Sequence, residues 1–203
     1  MNLIKIYSDN PNPKKIDIII DVLKNDGVII YPTDTVYAIG CLSNSSVGLE
    51  KLLNLKSSKE DKLTLSFIFK DISALSAFVK PFNNKIFRIL NKYLPGPYAF
   101  VMNAQTKLPK PFQKRKDIGV RIIKHPIVKA ILKKLDSPLV TSSLYDKNKI
   151  IKYTTDPRVI YDEWSYKVDL IIDGGYSGNT PSTVIDLRDD KPILIRKGKG
   201  SLF

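Results

Sequence analysis

A single α/β domain, a mixed sheet flanked by helices over residues 1–203, is the fold class that the sequence predicts. Three observations carry it. Segments with apolar residues at helical spacing alternate with short β-branched runs along the whole chain. No linker, internal repeat or low-complexity stretch interrupts them. With 43% hydrophobic residues, 203 residues suffice to bury one sizeable core.

Leu3 to Tyr7 reads as an edge strand, followed by a turn at Asp9-Asn10-Pro11. Ile16, Ile19, Ile20 and Leu23 fall at i, i+3, i+4 and i+7, one face of a helix that Gly27 stops. Val28 to Tyr31 is uncharged and β-branched, which predicts an interior strand, and Pro32, lacking an N–H, ends its ladder. Thr33, Asp34 and Thr35 then stand at the strand's end, where open α/β sheets collect ligands. The Ser43-Asn44-Ser45-Ser46 cluster offers N-caps for a helix carrying Leu49, Leu52 and Leu53 and running out near Lys56. Leu63, Leu65, Phe67 and Phe69 alternate as in a strand. A helix capped by Asp71 or Ser73 is expected next, and another through Ile86, Ile89, Leu90 and Tyr93. Pro95-Gly96-Pro97 turns the chain into a strand from Tyr98 to Met102. Ile118 to Ile123 is the next strand, with Arg121 inside it. His125-Pro126 opens a helix with Ile127, Val128, Ile131, Leu132 and Leu135 on its apolar side, and Pro138 to Ser143 returns as a strand. After a polar loop from Tyr145 to Thr155, Asp156-Pro157 has the N-cap and N1 arrangement of a further helix. Val168 to Ile172, Thr183 to Leu187 and Ile193 to Arg196 close the chain as strands, separated by Gly174-Gly175 and Asp189-Asp190 turns.

The charge balance, 33 Lys+Arg against 20 Asp+Glu, leaves a formal +13. Such a balance suits a polyanionic partner and makes nucleic-acid affinity salt-dependent; it also fits a lysine-rich solvated surface. Cys41 is alone and forms no internal disulfide, and one histidine with one cysteine cannot build the usual zinc cages. The apolar start is broken by Lys5, so no signal peptide is expected, and no run approaches the ~20 residues of a membrane helix. The expected location is the cytoplasm, with no membrane partner. A Ser-His-Asp hydrolase does not fit, because His125 is the only histidine and no GxSxG elbow is present.

Neither GxxxxGK[ST] nor a GxGxxG after a strand occurs, so a bound nucleotide has to rest on side-chain cations and hydroxyls. Lys56, Lys59, Lys62, Arg121 and Arg196 are the candidates, with a solvated loop as the plain alternative for the lysines. Arg121, within an apolar run, either points into a ligand cleft or pairs with a carboxylate such as Asp34. Thr141-Ser142-Ser143 and Ser182-Thr183 supply hydroxyls that orient carboxylates, amines or phosphates, or simply form turns.

The run Pro32-Thr33-Asp34-Thr35-Val36-Tyr37-Ala38-Ile39-Gly40 resembles the signature of the YrdC-like family, whose members make threonylcarbamoyl-adenylate for tRNA modification. Further family segments are resembled in order by Leu94-Pro95-Gly96-Pro97, Gly119-Val120-Arg121, Pro138-Leu139-Val140-Thr141-Ser142-Ser143, and Ser182-Thr183-Val184-Ile185-Asp186 with Ile195-Arg196. The resemblance implies a YrdC-like twisted mixed sheet with a basic concave cleft. It also implies a reaction in which L-threonine and bicarbonate form a carbamate that attacks the α-phosphate of ATP and releases pyrophosphate. Mg²⁺ would share the phosphate charge, and no resident metal is implied. By the same resemblance Lys56 and Arg121 are catalytic. Thr33, Thr35, Tyr37, Thr141, Ser143, Ser182 and Thr183 bind substrate, and Lys56, Lys62, Ser143 and Arg196 bind the nucleotide. The implied macromolecular partner is tRNA or double-stranded RNA. Two departures stand out. Where the family's synthases carry Lys-x-Arg and then Lys-Pro, this chain has Lys56-Ser57-Ser58 and Lys62-Leu63; where they carry Ser-x-Asn, it has Ser143-Leu144-Tyr145. With the Thr64 to Asp71 stretch, these departures resemble the YciO subgroup and imply, as the alternative, a non-catalytic module that binds double-stranded RNA or tRNA.

Overall fold

Local chemistry sets the first elements of the computed structural model, which describes residues 2–55, 65–105, 108–110, 112–144, 154–189 and 191–201. After the edge strand β1 (Leu3–Lys5), the Asn12 side chain accepts hydrogen bonds from the Lys14 and Lys15 N–H groups, and Pro13 occupies the first turn of α1 (Pro13–Lys24). Ile16, Ile19, Ile20 and Leu23 form the buried face of α1, as their spacing requires. The chain then enters β2 (Ile29–Tyr31), wholly buried, and after the Pro32 turn β3 (Ala38–Leu42) runs back antiparallel to it. Ser45 caps α2 (Ser46–Asn54) by accepting from the Gly48 N–H. The remaining elements are β4 (Ser66–Ile68), α3 (Asn84–Tyr93), β5 (Tyr98–Asn103), β6 (Asp117–Arg121), α4 (Pro126–Lys133), β7 (Leu139–Ser143), α5 (Pro157–Trp164), β8 (Leu170–Asp173), β9 (Thr183–Asp186) and β10 (Ile193–Arg196).

Ten strands among the described residues form one mixed sheet in the order β1-β8-β2-β3-β7-β4-β6-β5-β9-β10. The β1/β8, β2/β8, β4/β6 and β5/β9 pairs are parallel and the others antiparallel. Directly paired residues point to the same face, so the register identifies each face row by row. On one face Cys41, Val140, Phe67, Val120, Phe100 and Ile185 are paired in succession and all fully buried, covered by Leu49 and Leu52 of α2, Ile86 and Leu90 of α3, and Ile160 of α5. The other face is covered only in part. Its row runs Leu170, Ile29, Gly40, Thr141, Ser66, Gly119, Val101, Asp186, Ile193. Leu170 and Ile29 lie beneath α1 and α4 in the second core. From Ser66 onward the row is half-buried and then exposed, and among the described residues no helix covers it. The described helices thus leave one half of one face open.

The edge strand expected to reach Tyr7 ends at Lys5, the strand expected through Leu63 to Phe69 is described over Ser66–Ile68, and three further differences have a physical reason in the hydrogen bonds. The helix expected after Asp71 is a single 3₁₀ segment, Ser73–Ala77: Asp71 does cap it, accepting from the Ala74 N–H, but Val79 then forms a bridge with Ala104 and the Lys80 N–H donates to the Asn103 carbonyl. Pairing alongside β5 pulls the chain out of the helix. The strand expected to reach Ile123 ends at Arg121, because the Ile122 carbonyl accepts from the Gly96 N–H in the Pro95-Gly96-Pro97 turn. The strand expected from Val168 starts at Leu170, since the Val168 N–H still closes the end of α5 on the Trp164 carbonyl.

Candidate functional site

The open half-face ends on Arg121. This residue closes β6, two positions after Gly119, so its side chain lies on the open face; it is 4% exposed. Its Nη2 donates to Asp34 Oδ1 at 3.0 Å and to Thr35 Oγ1 at 3.3 Å. Both acceptors come from the turn that follows β2, so the ion pair joins that turn to β6. Asp34 is itself held, with Oδ2 accepting from the Lys124 N–H at 3.0 Å and its carbonyl accepting from Lys199 Nζ at 2.5 Å. The pairing that the sequence left open is therefore made through Nη2, while Arg121 Nε is buried with no partner among the described residues. Burial pulls the guanidinium below its ordinary pKa and Arg196 adds to the fall, while Asp34 and Tyr31 oppose it. A guanidinium in low dielectric with one N–H unsatisfied gains most from an incoming anionic oxygen.

Most of the hydroxyls around it are already spent. Thr35 Oγ1 lies 3.0 Å from Thr33 Oγ1, and Thr33 donates to the Val36 carbonyl at 2.6 Å while accepting from the Thr35 N–H, which closes a relay Arg121–Thr35–Thr33–Val36. Tyr31 donates to Thr141 Oγ1 at 2.8 Å, and the Thr141 hydroxyl in turn donates to the Ile39 carbonyl at 3.1 Å. These side chains fix the turn and the strand ends. Ser143 lies on the same face as Thr141, at the end of β7 opposite Ala38. Ser182 is buried where the chain enters β9, and its carbonyl accepts from Arg196 Nη2 at 2.9 Å. Tyr37 and Thr183 lie on the other, covered face. Tyr37 donates to the Gly175 carbonyl and accepts from the Gly174 N–H, while Thr183 donates to the Gly200 carbonyl and accepts from the Gly198 N–H. Lys56, Lys59 and Lys62, together with Ser58 and Tyr145, lie outside the described residues.

The structure thus gathers Thr33, Thr35, Arg121, Thr141, Ser143, Ser182 and Arg196 around one open half-face and sets Tyr37 and Thr183 behind it. It adds residues that sequence reasoning did not single out. Gly40, Ser66 and Gly119 make a floor of small side chains, and a Cβ at Gly119 would fall 2.7 Å from Ser66 Oγ. Lys124 and Lys199 reach Asp34 from distant parts of the chain. Cys41 belongs to the covered core, where burial pushes its thiol up to about 12. No group of three or more His, Cys, Asp or Glu side chains gathers among the described residues. None of the described helices is long and apolar enough to cross a membrane.

A family model described as telomere recombination, Sua5/YciO/YrdC, matches residues 21–198. The chain belongs to this family. Among the relatives of this Sua5/YciO/YrdC domain, YciO of Escherichia coli is 35% identical over 200 residues, covering 97% of this chain and 95% of that protein. A Methanocaldococcus jannaschii protein, named as a candidate threonylcarbamoyl-AMP synthase, is 31% identical over 199 residues, covering 97% and 92%. The crystal structure of E. coli YciO superposes with a TM-score of 0.89 at 34% identity, over 98% of this chain and 96% of that one. P. abyssi Sua5, complexed with L-threonine, shares the fold with a TM-score of 0.87 at 22% identity, over 98% of this chain and 58% of that one. The expected YrdC-like sheet is therefore the fold of this chain.

Proposed function

We propose that the open half-face is the site of threonylcarbamoyl-adenylate synthesis from L-threonine, bicarbonate and ATP, with pyrophosphate released. The observation that carries the reading is Arg121, a buried guanidinium at the edge of a small-residue floor with Nε unpaired. The carboxylate of an amino acid supplies the acceptor that this N–H lacks, and the Asp34 and Thr35 contacts hold the guanidinium in place to receive it. Once threonine is held, its amine bonds to the carbon of bicarbonate and water leaves, giving the carbamate, whose oxygen then attacks the α-phosphate while the bond to pyrophosphate breaks and pyrophosphate leaves. The protein's share in this reaction is positioning and charge neutralisation. Arg196, beside Ser182, stands on the side of the face where the triphosphate enters, and Mg²⁺ arrives with the phosphates as part of the substrate. Lys56 and Lys62 complete the cation set in this reading. The L-threonine carried by P. abyssi Sua5 and the name of the M. jannaschii relative support the substrate assignment.

The product's acceptor in this reading is tRNA, and the formal +13 supports an RNA partner. A second reading rests on Ser58 and Tyr145, which stand where the family's synthases carry Arg and Asn: a module of the YciO subgroup that binds double-stranded RNA or tRNA without catalysis. One assay separates the two. With ATP, Mg²⁺ and bicarbonate present, pyrophosphate release that depends on L-threonine is expected. Salt-sensitive tRNA binding, with no threonine-dependent release even at enzyme concentrations above that of ATP, would establish the module instead.

A further inference from the structure

On the outer side of the Thr33-Asp34 turn, a second cleft of about 470 Å³ opens between the start of α4 and the loop after β8, lined by Asp34, Lys124, His125, Tyr176, Gly178 and Lys199 among others. Thr33 of the proposed site also lines it, whereas Arg121, Ser143, Ser182 and Arg196 do not. We propose that this cleft holds one nucleotide, its phosphate on Lys124 and Lys199 and its base against the ring of Tyr176.

Charge is the first argument. Asp34, the carboxylate in the wall, gives Oδ1 to Arg121 and Oδ2 to the Lys124 main-chain N–H. Lys199 Nζ rests on a neutral carbonyl, that of Asp34, and the Lys124 ammonium meets no carboxylate among the described residues. Two cations therefore border one cleft without a side-chain anion of their own. At the rim, Asp156 Oδ2 accepts from the Tyr176 hydroxyl at 3.3 Å, and this contact steadies the ring by its edge; Asp173 Oδ1 accepts from the Gly175 N–H in the same loop.

Preorganisation is the second argument. Tyr176 is 76% exposed, yet its loop is pinned to the turn beside it. A Cβ at Gly174 would fall 2.5 Å from Pro32 Cγ and one at Gly178 would fall 2.6 Å from the Thr35 carbonyl oxygen, so only glycine allows the approach at these two points. Gly175 takes a φ of +86°, which glycine adopts without strain. The Tyr37 hydroxyl clips both Gly174 and Gly175, and the Ser177 N–H donates to the Thr155 carbonyl at 3.1 Å. An exposed aromatic face held this firmly spends little entropy on stacking. His125 also lines the cleft, and its buried Nδ1 has no partner among the described residues, which leaves a further polar contact for the guest. A cation pair beside a fixed ring fits a phosphate joined to a base, and stacking of this kind tolerates any base.

The nucleotide has two sources, a free mononucleotide or a strand of RNA; the second draws on the RNA part of the proposed function, whereas neither needs the synthase chemistry. AMP binding by calorimetry and binding of a labelled ten-nucleotide single-stranded RNA by anisotropy distinguish them. Tyr176→Ala is expected to weaken the bound species about tenfold. Lys124→Ala with Lys199→Ala is expected to reduce the slope of log K against log salt for RNA by about two. Loss of RNA binding alone assigns the strand, and loss of AMP binding alone assigns the free nucleotide. Because Lys199 also holds the Asp34 carbonyl, Lys124→Ala alone is the second variant, with an expected slope change of about one. If Tyr176→Ala and Lys124→Ala bind both ligands as the wild type does, the proposal is overturned, while RNA binding elsewhere on the molecule stands.

Discussion

Arg121 concentrates the energetic tension of the molecule in one side chain. Breaking a buried ion pair by removing one partner costs about 3–5 kcal/mol, because the other charge is left uncompensated. Arg121→Ala is therefore expected to lower stability by an amount of that order in urea titration and, on the proposed function, to abolish threonine-dependent pyrophosphate release. An unchanged denaturation midpoint would mean that Asp34 is well solvated without its partner. Arg121→Lys keeps the charge and most of the stability but loses the fork that spans Asp34 and Thr35. His125 tests the neighbouring wall. Burial lowers it from its ordinary 6.5, against the pull of Asp34, so below pH 6.5 the unfolded chain binds the proton more readily than the native protein. The stability linked to neutral His125 is complete above 6.5 and is lost as the pH falls through the lowered native value. His125→Gln flattens that acid limb, and proton NMR of the single histidine is expected to show its titration midpoint below 6.5.

Neighbouring strands, rather than any one segment, build the site. Gly40 of β3, Thr141 of β7, Ser66 of β4 and Gly119 of β6 adjoin only because the sheet interleaves elements far apart in the chain. Gly119→Val tests the floor: a β-branched residue suits a strand, and the new Cβ crowds the Ser66 hydroxyl, which can rotate away. Little change in melting temperature is expected, together with a large loss of ATP affinity in equilibrium dialysis; unaltered affinity would place the nucleotide elsewhere. The individual elements were legible from sequence because their signals are local. Asn12 and Pro13 mark the start of α1, the spacing of Ile16 to Leu23 marks its face, and the uncharged run up to Tyr31 marks an interior strand. Arg121 was legible as a residue with two fates; the structure shows the pairing with Asp34, with Nε buried and unpartnered among the described residues. Periodicity of two tells which residues of a strand share a face, but not which strands are neighbours, so the row through Ser66 and Gly119 could not be read. Nor could the spending of hydroxyls. Thr141 and Thr183 look alike in sequence, yet the first sits at the open face and the second behind it, tied to Gly198 and Gly200.

At the scale of the whole molecule, one sheet carries two kinds of surface. Its fully covered face and the half beneath α1 and α4 supply the stability, with buried apolar rows that run from strand to strand. Among the described residues no helix covers the remaining half-face, where the same register presents Thr141, Ser66 and Gly119, with Arg121 at the end of β6, before running out to Val101, Asp186 and the exposed Ile193. On the proposed function, a chain with 13 more cations than anions draws phosphates toward an open surface. Both the half-face and the cleft beyond Asp34 qualify, with the Asp34–Arg121 pair as the wall between them. The most direct test follows the one donor that this wall leaves unpaired. In a ¹⁵N-labelled sample, the Arg121 Nε–H signal, assigned by its loss in Arg121→Lys, should shift on addition of L-threonine as a carboxylate oxygen takes up the free N–H. Threonine binding that leaves this signal in place would contradict the account.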